Sequence, residues 1–81
     1  MPAILRISGF RFFFYTNEGR PLESPHIHVM KRGDEAKFWL TPVVKLARDD
    51  NLDFRELRTS AEIIKQNQVL FLEAWSDRRY R

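Results

Sequence analysis

The sequence has no cysteine, only three glycines, and no apolar run as long as a membrane span. Without cysteine, disulfide bonds and thiolate metal sites are excluded. With so few glycines, the chain has no glycine-rich loop of the kind that cradles a phosphate, and no serine lies in a strand-to-helix elbow. The opening residues also lack the pattern of a signal peptide, so we expect a cytoplasmic location and no membrane contact.

Apolar and aromatic residues, in contrast, are plentiful. The 81 residues are 43% hydrophobic and 14% aromatic, with seven phenylalanines, which predicts one packed domain over residues 1–81. The net charge of +3 permits a nucleic acid or an acidic protein as partner without requiring either. Because so small a chain gains from further burial, we expect a homo-oligomer or a hetero-oligomer with a cognate partner protein. No cofactor is predicted.

Residues 3–7 and 10–16 read as two strands of a tight hairpin. Only Ser8-Gly9 separates them, and glycine suits a two-residue turn. This turn places Leu5 opposite Phe12 and Ile7 opposite Phe10, all apolar. On the other face it places Arg6 opposite Arg11, a destabilising pair that an anion, a partner carboxylate or splaying into water would relieve.

A second hairpin is predicted from strands 26–32 and 35–40, with Gly33-Asp34 as its turn. That turn would pair Val29 with Phe38 and His28 with Trp39. Residues 43–47 then suggest a short fifth strand, and residues 48–51 form a polar turn.

One long helix is predicted over residues 54–77. Asp53 can cap its first turn, with Glu56 completing a capping box and Leu52 and Leu57 in the positions of a hydrophobic staple. The residues that repeat at helical spacing and should face the core are Leu57, Ala61, Ile64, Gln68, Phe71 and Trp75, with Ile63 and Leu72 widening the stripe.

These elements predict an α+β fold, in which an antiparallel meander of four or five strands carries the helix on one face. The covered face should hold Leu5, Ile7, Phe10, Phe12, Phe14, Ile27, Val29, Phe38 and Leu40. The uncovered face should hold Arg6, Arg11, Phe13, Tyr15, His26, His28, Lys37 and Trp39. Basic groups mixed with exposed aromatics suit a protein interface and, nearly as well, base stacking and phosphate contact.

The stretch from Pro25 to Val29 carries the candidate chemistry. His26 and His28 share one face of their strand, whereas Ile27 and Val29 share the other. The two imidazoles could act as catalytic acid and base, for example in RNA cleavage with Lys37 or an arginine steadying the charge. They could also bind a metal with Glu18 or Glu23 as a third ligand, or be half-exposed strand residues with no task.

Several stretches, spread nearly from end to end of the chain, form a recognisable pattern: Met1 to Arg6, the phenylalanine-rich second strand, Asn17-Glu18, Pro25 to Val29, Glu35-Ala36 and Phe71 to Trp75. Together they resemble the bacterial domain-of-unknown-function 4160 family. The sequence departs from the family pattern at Gly19, where many members have a further histidine, and in its longer loop before Pro25. The resemblance implies a small cytoplasmic protein, one component of a two-gene module similar to toxin–antitoxin pairs. It adds weight to Asn17, Glu18, His26, His28 and Trp75, the last as a packing residue.

The leading hypothesis is therefore a binding module that engages a partner protein through the exposed sheet face. Its candidate binding residues are Asn17, Glu18, Arg6, Arg11, Tyr15, Lys37 and Trp39. The first alternative is a ribonuclease-like or nucleic-acid-binding protein in which His26 and His28 are the catalytic residues. The second is a metal-binding protein that uses His26, His28 and Glu18.

Overall fold

The computed structural model describes residues 4–15 and 23–79. Its elements are β1 (Leu5–Ile7), β2 (Phe10–Phe13), β3 (His26–Lys31), β4 (Asp34–Trp39), β5 (Lys45–Asp50), α1 (Phe54–Gln66) and α2 (Gln68–Arg79). The strands form one antiparallel sheet in the order β1-β2-β3-β4-β5. The fold is thus α+β with a five-stranded meander, as predicted. Among the described residues, neither helix combines the length and apolar character that crossing a lipid bilayer needs.

The first hairpin has the predicted turn and register. Ser8 and Gly9 have φ angles of 52° and 82°, the pair of positive values that a two-residue hairpin turn needs to match strand twist. Leu5 lies opposite Phe12, and Arg6 lies opposite Arg11. The strands are shorter than predicted, since β2 ends at Phe13; residues 3 and 16 lie outside the described part of the chain.

The second hairpin turns one residue earlier than predicted. Its turn is Arg32-Gly33, with φ angles of 55° and 88°, rather than Gly33-Asp34. Ile27 consequently pairs with Phe38 and His28 with Lys37, so the predicted pairs of Val29 with Phe38 and His28 with Trp39 are wrong by two residues. The physical reason is that glycine belongs at the second turn position, as in Ser8-Gly9. Because the error is an even number of residues, every side chain keeps its predicted face.

The fifth strand lies later than predicted. It spans Lys45–Asp50 rather than residues 43–47, so residues 48–50 extend the sheet instead of forming a polar turn. The register shifts between Lys37 and Phe38, which leaves Ala47 as the extra residue of a β-bulge. Asn51, at a φ of 82°, then ends the strand, and the Asp49 carboxylate accepts a hydrogen bond from the Leu52 amide at 2.9 Å.

Two helices replace the one long helix that was predicted. The start is as expected: Asp53 and Glu56 form a complete capping box. At Asn67 the backbone leaves helical geometry, and the side-chain amide donates to the Ile63 carbonyl at 2.8 Å. An asparagine amide that competes for backbone carbonyls is a common cause of helix interruption. Gln68 then begins α2 and donates to the Leu40 carbonyl at 2.6 Å, which ties the second helix to the end of β4.

The predicted helical stripe continues through this break. Ile64, Phe71 and Trp75 are buried, and Leu57 and Ala61 pack against the core. The fully or nearly fully buried sheet residues beneath them are Phe10, Phe12, Phe14, Ile27, Val29, Ala36, Phe38 and Leu40. Leu5 is partly buried, whereas Ile7 remains 43% exposed at the edge of the sheet, contrary to prediction.

Candidate functional site

The face of the sheet opposite the core carries the predicted site residues that the structure describes; we call it the histidine face. In the sheet Phe13 lies opposite His28, which lies opposite Lys37, while His26 lies opposite Trp39. All these side chains share one face, together with Tyr15, Glu35, Arg6 and Arg11, because side chains alternate along each strand.

The exposure of this face differs from prediction. His26 and His28 are 0% and 2% exposed, and Phe13 is 7% exposed. Only part of the face is open: Arg6 and Arg11 are exposed, Tyr15 is 39% exposed, and Lys37 and Trp39 are half-buried. The face therefore has a buried centre and an open rim.

Aromatic side chains enclose the two imidazoles. Phe13 stacks on His28 with ring centroids 5.6 Å apart, and Tyr15 meets the same ring edge-on at 4.6 Å. His26 contacts Trp75 at 4.8 Å and Trp39 at 5.8 Å. Trp75 comes from α2 and also contacts Phe14 on the core face, so this helix reaches both sides of the sheet near the start of β3. Strand alternation predicted the correct face for the two histidines but not their burial, which the surrounding aromatic rings produce.

Glu35 organises the polar part of the centre. Its carboxylate accepts a hydrogen bond from Tyr15 Oη at 2.7 Å and lies 3.1 Å from His28 Nδ1. Because a carboxylate is an acceptor, His28 donates from Nδ1 in this pair. Arg48 Nη2 lies 3.8 Å from the same carboxylate and supplies a positive charge at its outer side. The Glu35 carboxylate thus contacts three residues that are far apart in the sequence, Tyr15, His28 and Arg48.

His26 is oriented by the loop that precedes it. Its Nδ1 lies 3.0 Å from the Ser24 carbonyl oxygen, an acceptor, so this nitrogen also carries a proton. The Glu23 carboxylate is 3.7 Å from the same nitrogen and 3.9 Å from Lys37 Nζ. Lys37 in turn lies 4.7 Å above the ring of Trp39, in cation–π geometry. Each imidazole therefore has one nitrogen committed to a structural hydrogen bond.

The rim carries the two opposed arginines. Arg6 and Arg11 are directly opposite and both exposed. Arg11 turns away across β3, where Nη2 lies 3.0 Å from Met30 Sδ. This hydrogen bond directs the Arg11 guanidinium toward β3.

A histidine paired with a carboxylate is an arrangement that can serve general acid–base chemistry. Here, however, the imidazoles lie beneath aromatic rings, so a phosphodiester would reach them only after those rings moved. No group of three or more histidine, aspartate or glutamate side chains among residues 4–15 and 23–79 is placed to hold a metal ion. Asn17 and Glu18 lie outside the described residues, so the predictions for them, including the third metal ligand, stay predictions.

The sequence reasoning missed Glu35 as a partner of His28 and missed the contact between Trp75 and His26. The X-Gly pattern of the first turn, applied to Arg32-Gly33, would have moved Glu35 opposite Met30 and thus diagonally adjacent to His28. Nothing in the local sequence indicates that Trp75 reaches His26, since the two residues are far apart in the sequence.

Comparison with known proteins gives one match. The model of a family described as domain of unknown function (DUF4160) matches residues 9–76, which is most of the chain. No curated protein and no solved structure matches it.

Proposed function

We propose that this chain, which belongs to the DUF4160 family, is a small cytoplasmic binding module that engages a partner protein through the histidine face. The observation that carries the proposal is the combination of a fixed aromatic centre with an open rim of arginine, tyrosine and tryptophan. These three residue types dominate the binding energy of protein interfaces.

The buried centre supports this role by holding the rim in place. Tyr15 is tied to Glu35 and packed on His28, and Lys37 is held over Trp39. A rim that is ordered before binding loses less conformational entropy when a partner arrives. Under this proposal His26 and His28 are positioning residues, and Arg6, Arg11, Tyr15, Lys37 and Trp39 make the contacts.

Charge indicates the chemistry of the partner. Arg6 and Arg11 are exposed side by side on the first two strands, and Lys37 lies on β4, opposite His28. An acidic partner surface would relieve the repulsion between the arginines. We therefore propose a partner that presents carboxylates to the β1–β2 end, as the other half of a two-component module.

The test is co-purification of the tagged full chain from its host, identification of the bound protein, and measurement of its affinity. Arg11→Glu should weaken binding by about tenfold or more, since it replaces an attraction with a repulsion at the rim. Arg55→Glu is the matched control, because Arg55 is an exposed arginine on α1; its affinity should stay within about twofold of wild type. Equal affinities for wild type and Arg11→Glu would overturn the proposal.

A nucleic-acid role is the second candidate, favoured by the pairing of His28 with Glu35 at 3.1 Å. If RNA rather than protein co-purifies, a folded His26→Ala/His28→Ala variant should lose RNA affinity or cleavage. That result, combined with unchanged protein binding, would replace the binding-module proposal with a ribonuclease-like one.

A further inference from the structure

The sheet has two edges of different character. β1 is three residues long, whereas β5 is six residues long and exposed at every position. β5 is the last strand in the sheet order, so its outer N–H and C=O groups face away from β4. Such an edge is a template for strand addition.

An apolar groove lies beside this edge, between β5 and α1. It has a volume of about 430 Å³, and its lining includes Val44, Leu46, Phe54 and Leu57. Phe54 is 77% exposed and Leu46 is 40% exposed, so the groove is open to solvent at one side. Large exposed apolar groups that cluster next to an open strand are typical of an interaction site.

The sequence of β5 is complementary to itself. Lys45 stands at its first position and Asp50 at its last. The extra residue of the bulge, Ala47, brings both onto the histidine face, since Lys45 pairs with Trp39 and Asp50 pairs with Glu35. When two copies of β5 run antiparallel, each Lys45 can therefore lie opposite an Asp50 on the same face. Charged edge strands deter most strand additions, but here a second copy supplies the opposite charge at each end.

We propose that β5 pairs with β5 of a second copy of this chain about a two-fold axis perpendicular to the sheet. This pairing joins the two sheets into one, and the two-fold axis leaves the helices of both copies on the same side. Phe54, which follows the Asp50 end of the strand, then faces Val44 at the Lys45 end in the second copy. The dimer thereby covers both grooves and leaves the rim at β1 and β2 accessible, so the inference does not depend on the proposed partner-binding face.

Charge exchange tests the pairing directly. Sedimentation equilibrium of the full chain should show a dimer, and Lys45→Glu should raise the dimer dissociation constant by about tenfold to thirtyfold, because two symmetric attractions become repulsions. Asp50→Lys should do the same, and the double variant Lys45→Glu/Asp50→Lys should restore association to within about threefold. Circular dichroism checks that each variant folds, since Asp50 also bonds Arg48 within the chain at 2.9 Å.

The apolar part is tested with a matched pair of substitutions. Phe54→Ala should raise the dissociation constant by about tenfold, whereas Val69→Ala, at a position 69% exposed on α2, should leave it unchanged. A monomeric wild type at high micromolar concentration would overturn the proposal, as would a dimer that is indifferent to the charge variants. NMR of the β5 amides tests the alternative occupant. If the chain is a monomer and these resonances shift only when a peptide of another protein is added, the edge binds that partner and the dimer proposal is wrong.

Discussion

The core face of the sheet and the centre of the histidine face are both buried, but by different means. The core face is closed by apolar side chains of two helices, with Phe12, Ile27, Val29 and Ile64 all at 0% exposure. The centre of the histidine face is closed by aromatic rings around two imidazoles that also need hydrogen-bond acceptors. The core face tolerates apolar substitutions that conserve side-chain volume. The centre of the histidine face also requires that its buried polar atoms keep their hydrogen-bond partners. Substitutions on the two faces should therefore fail for different reasons.

The largest effect is expected on the core face. Phe12→Ala should lower the free energy of unfolding by about 3–5 kcal/mol, because Phe12 is fully buried and packs on Phe71 with ring centroids 5.6 Å apart. Urea denaturation measures this, with Val69→Ala as the control at a site on α2 that is 69% exposed. The control should change stability by less than about 0.5 kcal/mol. Equal losses would mean that the assignment of Phe12 to the core is wrong.

A smaller loss is expected at the centre of the histidine face. His28→Ala should cost about 2–3 kcal/mol, since it removes a ring that packs on Phe13 and a hydrogen bond to the Glu35 carboxylate. His28→Phe separates the two contributions, because it keeps an aromatic ring and removes the donor. If His28→Phe is as stable as wild type, packing alone holds this face and the contrast with the core disappears.

At the rim of the same cluster, Tyr15→Phe should cost about 1 kcal/mol. The substitution deletes only the hydroxyl that donates to Glu35 at 2.7 Å and keeps the edge-on contact with His28. Thermal denaturation gives the change in stability, and the matched Phe13→Tyr variant adds a hydroxyl at a buried position. A loss for Tyr15→Phe as large as that for His28→Ala would place the hydroxyl, rather than the imidazole, at the centre of the network.

The smallest effect lies outside both faces, at an ion pair between the β3–β4 turn and α1. Arg32 Nη1 donates to Glu56 Oε2 at 2.5 Å, and this hydrogen bond, with that from the Asp53 amide, lowers the pKa of Glu56 to about 2. A carboxyl whose pKa is lower in the folded state stabilises the fold above its unfolded pKa, and this contribution is lost as pH falls toward 2.

Glu56→Gln keeps an acceptor for the capping box and removes the charge. The melting temperature of the variant should therefore be slightly below that of wild type at pH 7, and the difference should shrink as pH falls from about 4.5 toward 2. A difference that persists unchanged at pH 2 would show that the charge of Glu56 is not its source.

The two hairpin turns and the helix break show which structural features the local sequence predicts. Ser8-Gly9 predicted the first register correctly because it was read with glycine at the second turn position. In Arg32-Gly33-Asp34 the glycine could be read as the first or second turn residue, and the wrong choice moved the pairs by two. The break at Asn67 was missed because the hydrophobic stripe keeps its spacing through it, so periodicity carries no sign of an interruption made by one side-chain amide.

What the sequence determined by itself is which side chains share a face, because strand alternation and helical spacing depend only on positions along the chain. It also determined the first hairpin turn and the start of α1, where glycine, aspartate and glutamate act on their immediate neighbours. The tertiary structure decided that His26 and His28 are enclosed, that Glu35 joins Tyr15 to His28, and that Trp75 contacts both faces. These features arise from contacts between residues distant in sequence, whose proximity exists only once the sheet and helices have packed.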